Sequence, residues 1–346
     1  MHSIDPSDFE VENDFIGEGN FGQVSLVHPK DNINLKVALK KIPVDPDNED
    51  IENIFKNEVS ILSSLQHPNI QDLIGYSYPS DEDQTFKIYS KYVPNSTLGD
   101  ILTEDQLSSK NKILNSTQLS IIVYGIASAM SYLHSKKIVH RDLKPENIFL
   151  DENFYPVLSD FGLSRFCDDN FNIADCLGTP YFMAPELFLK EEVTGLSNKI
   201  DVYAFGVTLL SLFTTNYKFE GMQPRTITQL INKVTSGKRF VIPKEVPNFY
   251  ANLIQRCWAN DPEERPSFDK IVEELEQNNE FIFEGSNVEE VKKYIKQTKN
   301  IDEINKRKEL LVISSSSSPS SSDDEINFEN DNEIYTKTEE YGFNYF

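Results

Sequence analysis

The sequence predicts an α+β chain on three observations. Apolar residues alternate in period two through the opening third, helical periodicity takes over afterwards, and the last segment loses its apolar pattern altogether. With 346 residues and 38% hydrophobic content, the chain can build one large core or two small ones.

The strand-like part comes first. Val24 and Leu26, then Val37 and Leu39, alternate on either side of the polar run HPKDNIN, which reads as a hairpin. IENIFKNEVSILSSLQ then places Ile51, Phe55, Glu58, Leu62 and Leu65 along one helical face. A glutamate inside that stripe requires a cationic partner, because burying it alone would be costly. Leu119, Ile122, Ile126, Met130 and Leu133 mark an amphipathic helix, and DVYAFGVTLLSLF, apolar nearly all round, predicts a buried one. This globular pattern runs over 9–276. Residues 277–311, including NVEEVKKYIKQTKNIDEINKRKELL, read as a solvated helical extension of mixed charge. Residues 312–346 read as an acidic, Ser-rich disordered tail: SSSSSPSSSDDE is low-complexity, and eight acids face the single Lys337.

The formal charge of −23 argues against a nucleic-acid partner, since affinity for phosphate backbones comes from Lys and Arg. The acidity suits either solubility or basic protein partners. Cys167, Cys176 and Cys257 are odd in number and form no C-x-x-C pair, which suits reduced thiols. MHSIDPSDFEVEND has neither the basic start nor the apolar run of a secretory signal, and no apolar stretch is long enough for a bilayer. The expectation is a soluble cytoplasmic protein with no membrane span.

GEGNFGQV places Gly17, Gly19 and Gly22 in G-x-G-x-x-G spacing. Dinucleotide sites share that spacing, but there a helix begins within the motif. Here a strand pair follows, so the glycines are expected at a hairpin tip whose N–H groups lie over phosphates. In VALKKI, Lys40 would point from a central strand toward the same phosphates, with Glu58 as its counter-charge. HRDLKPENIFL and LSDFG bring Asp142, Lys144, Asn147 and Asp160. Oxygen ligands from Asn147 and Asp160 suit Mg²⁺, while the separate carboxylate of Asp142 can orient and deprotonate an incoming hydroxyl.

In the order and spacing of GEGNFGQV, VALK, HRDLKPEN, DFG and APE, the chain resembles the eukaryotic protein kinases over 9–276. The resemblance implies a bilobal fold, with a small mainly-β N-lobe carrying one helix (9–93) and a larger mainly-α C-lobe (94–276). It implies that Lys40 contacts the α and β phosphates of ATP and pairs with Glu58, that Asp142 is the catalytic base, that Lys144 neutralises the γ-phosphate, and that Asn147 and Asp160 hold Mg²⁺. Ile16, Val24 and Ala38 would lie above the adenine and Phe149 below it, with Ser90 at the back of the pocket and backbone groups of Lys91 and Val93 on the adenine edge. Most relatives carry an acid where Lys91 stands; a backbone contact tolerates the change. Leu62, Leu73, His140 and Phe161 match the family's stack between the lobes, although plain core packing accounts for these four equally well. Arg265 with Glu186, and Asp201, match structural anchors of the large lobe.

Lys144, and Thr179 in GTPYFMAPE, resemble Ser/Thr-specific members, whereas CWANDPEERPSF resembles tyrosine kinases and the tyrosine-kinase-like group of Ser/Thr kinases. Both fit a member of the latter group. The expected activity is ATP- and Mg²⁺-dependent transfer to Ser/Thr hydroxyls of protein substrates in intracellular signalling. A dual-specificity kinase is the first alternative. A pseudokinase scaffold is the second, though Lys40, Asp142, Asn147 and Asp160 are all present.

RFCDDNFNIADCLG, residues 165–178, contains no Ser, Thr or Tyr. Family members commonly order this stretch by a phosphate on the arginine beside the catalytic aspartate, here Arg141. Asp168, Asp169 and Asp175 are the local anions that would substitute, Asp175 first; a solvated loop is the equal alternative. Ser318-Pro319 and the acid-flanked Ser320, Ser321 and Ser322 suit upstream kinases. The terminal FNYF resembles the F-x-x-F docking ending of another kinase group, whose body motifs are absent here.

Overall fold

The computed structural model describes residues 3–19, 22–45, 50–107, 113–166, 171–172, 180–188, 192–193, 197–214 and 226–300. Its first sheet contains β1 (Phe9–Gly19), β2 (Gly22–Pro29), β3 (Val37–Pro43), β4 (Leu73–Ser77) and β5 (Thr85–Lys91). These run antiparallel in the order β1-β2-β3-β5-β4. Helix α1 (Asp50–Ser64) links β3 to β4 and buries Phe55, Glu58, Val59, Ile61 and Leu62.

Register divides this sheet into two faces. Val27, Val37, Leu39 and Tyr89 form a small core of their own, covered by Ile4, Phe9 and Ile74. The Phe9 and Tyr89 rings lie 4.7 Å apart. The cross-strand pairs Val24–Lys40, Leu26–Ala38 and Ala38–Ser90 put Val24, Ala38, Lys40 and Ser90 on the opposite face. A one-residue slip would send Lys40 into the apolar side, so the hydrophobic pattern itself holds the lysine in place.

The rest of the chain is mainly helical: β6 (Asn95–Thr97), α2 (Leu98–Leu107), α3 (Ser116–Ser135), β7 (Ile138–Val139), β8 (Ile148–Leu150), β9 (Pro156–Leu158), β10 (Arg165–Phe166), β11 (Phe171–Asn172), β12 (Glu192–Val193), α4 (Lys199–Ser211), α5 (Ile227–Thr235), α6 (Asn248–Cys257) and α7 (Phe268–Gln277). A last helix, α8, covers 288–300. Asn115 and Gln118 form a reciprocal capping box at the start of α3, which fixes where that helix enters the core. Residues 200–211 of α4 are all buried, as its all-round apolar sequence requires. Strands β6, β8 and β9 make a small sheet, and β7 pairs with β10.

This is the expected α+β arrangement, an antiparallel small lobe followed by a helical large one. One expectation is corrected. The stretch read as a solvated extension packs against the large lobe through α8, burying Val291, Tyr294 and Thr298. These recur at i, i+3 and i+7 among lysines, so one face is apolar while the composition reads as polar. Cys257 is a free, buried thiol, pushed up to about 12 by burial. No helix among the described residues is long and apolar enough to cross a membrane. Asp168, Asp169, Asp175, Cys167, Cys176, Thr179 and the whole of 301–346, with its serines and FNYF, lie outside the described residues.

Candidate active site

The glycine run forms the β1–β2 hairpin, with Gly17 opposite Val24 and Gly19 opposite Gly22. The two glycines at its base differ in their surroundings. A Cβ on Gly22 would stand 2.0 Å from the Lys41 carbonyl oxygen, so the close approach of β3 requires glycine. A Cβ on Gly17 would meet nothing within 4 Å. Gly17 therefore leaves room on its open side, where a ligand can come close.

Lys40 projects from β3 to α1. Its Nζ donates to both carboxylate oxygens of Glu58 at 2.8 Å and lies 3.5 Å from an Asp160 oxygen. Burial pulls the Lys40 ammonium down, but Glu58 and Asp160 outweigh it and hold the group above its ordinary value. Burial pushes the Glu58 carboxyl up, Lys40 pulls it back, and the like charge of Asp160 adds to the rise. The lysine is thus a fixed cation between two acids. Residue 57 adds a contact that the sequence reading missed: buried Asn57 donates from Nδ2 to the Ser164 carbonyl at 2.8 Å, tying α1 to the segment after Asp160.

The second cluster is built on the loop between β7 and β8. Lys144 Nζ and Asn147 Nδ2 both donate to Asp142 Oδ2, at 2.7 and 2.8 Å. Asn147 Nδ2 also reaches the Asp142 carbonyl at 2.7 Å. With Nδ2 committed, Oδ1 is the Asn147 atom left for ligation. The next loop is drawn onto this one: Ser159 donates to the Asn147 carbonyl from its N–H at 2.9 Å and from its hydroxyl at 3.0 Å. Asp160 follows directly, so Ser159 joins the Lys40 cluster to the Asp142 cluster.

Two residues here have left-handed backbone, Arg141 at φ 71° and Asp160 at φ 59°. Such conformations persist where neighbours over-determine them. Asp201, from α4, does so for the first. Its carboxylate accepts the N–H groups of His140 at 2.8 Å and Arg141 at 2.9 Å, plus His134 Nε2 at 2.9 Å. Burial pushes the Asp201 carboxyl up, but His134 and His140 outweigh it and hold it below its ordinary value. His140 in turn contacts the Ser159 carbonyl through Nε2 at 3.1 Å and meets the Phe161 ring edge-on at 5.1 Å. Leu62 and Phe161 share the large core, and Leu73 packs against it.

The remaining expected residues are placed as follows. Ile16 is exposed at the start of the glycine turn, Val24 and Ala38 are half-buried on the Lys40 face of the sheet, and Ser90, paired with Ala38 across β3 and β5, is buried. Phe149, on β8, is half-buried, between fully buried Ile148 and Leu150. The Lys91 N–H donates to the Asp72 carbonyl at 3.0 Å and is therefore committed within the protein. Val93 is half-buried just beyond, in the connection to β6. Arg265 makes a bidentate pair with Glu186, with one bond at 2.8 Å, and its side chain is fully buried.

The donor chemistry fits a divalent metal. An amide oxygen and a carboxylate are hard ligands, and no cage of three or more His, Cys, Asp or Glu groups exists among the described residues. A Mg²⁺-type ion, which takes most of its ligands from phosphates and water, needs only these two. A fixed cation on β3, one strand away from the glycine hairpin, thus meets Asp160, whose loop is bonded to the one that carries Asp142 and Asn147. The family model for the protein kinase domain matches residues 10–275. The chain belongs to the protein kinase family. Curated relatives agree: a probable serine/threonine-protein kinase of Dictyostelium discoideum is 33% identical over 258 residues, 74% of this chain and 26% of the relative. Another probable serine/threonine-protein kinase of that organism is 32% identical over 274 residues, 79% of this chain and 16% of the relative. The probable serine/threonine-protein kinase drkC, also from Dictyostelium discoideum, is 34% identical over 280 residues, 79% of this kinase chain and 35% of drkC. The kinase chain thus spans about a third or less of the length of these relatives.

Proposed function

We propose that the chain is an active serine/threonine protein kinase that transfers the γ-phosphoryl group of ATP to protein hydroxyls. One observation carries the reading: the Lys40–Glu58 pair is closed onto Asp160 while Asp142 is held by Lys144 and Asn147. Both the Lys–Glu pair and the metal-side Asp must be in place for this chemistry. Lys40 grips the α and β phosphates, and the hairpin N–H groups around Gly17, Gly19 and Gly22 lie over them. Asp142 orients the substrate hydroxyl and accepts its proton, while Lys144 offsets charge on the transferring group. Asn147 and Asp160 would hold Mg²⁺, which supplies neutralisation of the phosphate charge. Ile16, Val24, Ala38, Ser90 and Phe149 form the adenine slot, and the Lys91–Val93 backbone meets the adenine edge.

The relatives' names support a Ser/Thr acceptor. CWANDPEERPSF supports placement in the tyrosine-kinase-like group, and a reaction that consumes ATP and acts on signalling proteins implies the cytoplasm. On the same reading, Ser320, Ser321 and Ser322 are where upstream kinases would add charge. The test is transfer of ³²P from labelled ATP to a generic basic protein, followed by phosphoamino-acid analysis. Label on Ser and Thr that disappears in Asp142→Asn supports the proposal; label on Tyr alone, or none from the parent, refutes it.

A further inference from the structure

The turn over 65–70 joins α1, which carries Glu58, to β4, and it is anchored on the large lobe. The Gln66 N–H donates to the Tyr132 hydroxyl at 3.1 Å, and His67 contacts Ser128 Oγ at 3.2 Å while stacking on the Tyr132 ring. Leu158 donates its N–H to the Asn69 carbonyl at 2.8 Å. These partners lie inside the region the family model matches. Tyr294 lies outside it. Asn69 Nδ2 donates both to the Pro156 carbonyl at 2.7 Å and to the Tyr294 hydroxyl, which comes from α8.

The junction is built rather than incidental. Gly125 stands in the middle of α3, where glycine disfavours a helix. A Cβ there would come within 2.8 Å of the Tyr294 oxygen and 2.5 Å of Pro156 Cγ. The Tyr294 ring packs against Tyr155 at 4.8 Å and Tyr124 at 6.3 Å. Upstream, the Asn287 N–H donates to Thr117 Oγ1 at 2.8 Å and the Phe283 N–H to Ser120 Oγ at 3.0 Å. At the far end, Lys299 pairs with Glu276 at 2.7 Å. Burial raises the Tyr294 phenol above its ordinary value, so it remains a neutral hydroxyl.

We propose that Tyr294 is a positioning residue: through Asn69 it clamps the turn on which α1 pivots, and thereby holds Glu58 against Lys40. The consequence for catalysis rests on the kinase reading above; the clamp itself does not. Released from Asn69, the turn gains freedom, α1 swings, and the fraction of molecules with a closed Lys40–Glu58 pair falls.

The test uses the full chain as Tyr294→Phe, which removes only the hydroxyl, and Tyr294→Ala, which also removes the ring. Ile254→Val, a small cavity in α6, serves as a stability control. Hydrogen exchange over 58–71 should quicken about fivefold in Tyr294→Phe and further in Tyr294→Ala. At temperatures well below unfolding, kcat should fall about fivefold with peptide KM unchanged. Ile254→Val should lower Tm while leaving both readouts at parental values. Parental exchange over 58–71 in both Tyr294 variants overturns the proposal, as does a kcat loss no larger than that of the control. If the parent transfers no phosphate, the kinase reading fails, and exchange alone judges the clamp.

Discussion

Replacing Glu58 with Gln isolates the charge that holds Lys40. Gln keeps the shape and one acceptor oxygen, but the ammonium loses the Glu58 charge and keeps Asp160, at 3.5 Å, as a counter-charge. Losing one of two charge-assisted bonds at 2.8 Å costs about 1.5–3 kcal/mol. If that loss is felt wholly in the transition state, kcat/KM falls about 10- to 150-fold. Stability should change less, because burial already opposes the Glu58 charge in the folded protein. The pH dependence has a definite sign. A carboxyl raised on folding adds stability below its unfolded value and loses it as pH rises through the folded value. The parent should therefore gain on the variant in stability toward acid. Activity runs the other way, since only ionised Glu58 pairs with Lys40: the parent's acid limb should carry a component above the ordinary carboxyl value of 4.5 that Glu58→Gln lacks. Initial rates of peptide phosphorylation across pH, with melting curves alongside, provide the assay. Activity within twofold of the parent at neutral pH would refute the reasoning.

Three further substitutions follow from the geometry of the site. Asp201→Asn leaves an amide where a carboxylate accepted two backbone N–H groups, and should destabilise the fold by roughly 2–4 kcal/mol at neutral pH. Because the Asp201 carboxyl is depressed on folding, its contribution is present above the unfolded value near 3.8 and lost as pH falls through the folded value. Urea melts should thus show the gap closing at low pH, and a pH-independent gap would contradict this assignment. Gly22→Ala, whose Cβ would strike the Lys41 carbonyl, should lower Tm without nucleotide, whereas Gly17→Ala should leave Tm unchanged and raise the KM for ATP. Equal melting losses in both would contradict the open surroundings of Gly17, and an unchanged KM in Gly17→Ala would contradict its place beside the ligand.

Much of this site could be read from residue order alone, because its chemistry depends on side-chain types at fixed short spacings. Asp142, Lys144 and Asn147 fall within six residues, and a single loop can bring them onto one carboxylate oxygen. The Lys40–Glu58 pair was legible for another reason: each residue alone would be a costly burial, and each supplies what the other lacks. Asn57 gave no such sign, since a buried amide beside an apolar stripe looks like any exposed helix residue until its carbonyl partner, more than a hundred positions away, is known. The α8 helix was expected, but its packing on the large lobe was not, because average polarity hid a narrow stripe. Val291, Tyr294 and Thr298 are spaced for one face, but three positions among lysines and glutamates weigh little in composition. Asn69 and Gly125 likewise acquire meaning only once Tyr294 is seen between them.

The most direct measurement compares Asp142→Asn with Asp160→Asn in two assays, binding of a fluorescent ATP analogue with and without Mg²⁺, and phosphoryl transfer to a peptide. Asp142→Asn should bind nucleotide like the parent while transfer falls about 10²–10⁴-fold, and Asp160→Asn should lose the tightening that Mg²⁺ confers. Near-parental transfer by Asp142→Asn, or undiminished Mg²⁺ tightening in Asp160→Asn, would contradict the assignment of proton acceptor and metal ligand on which the proposed activity stands.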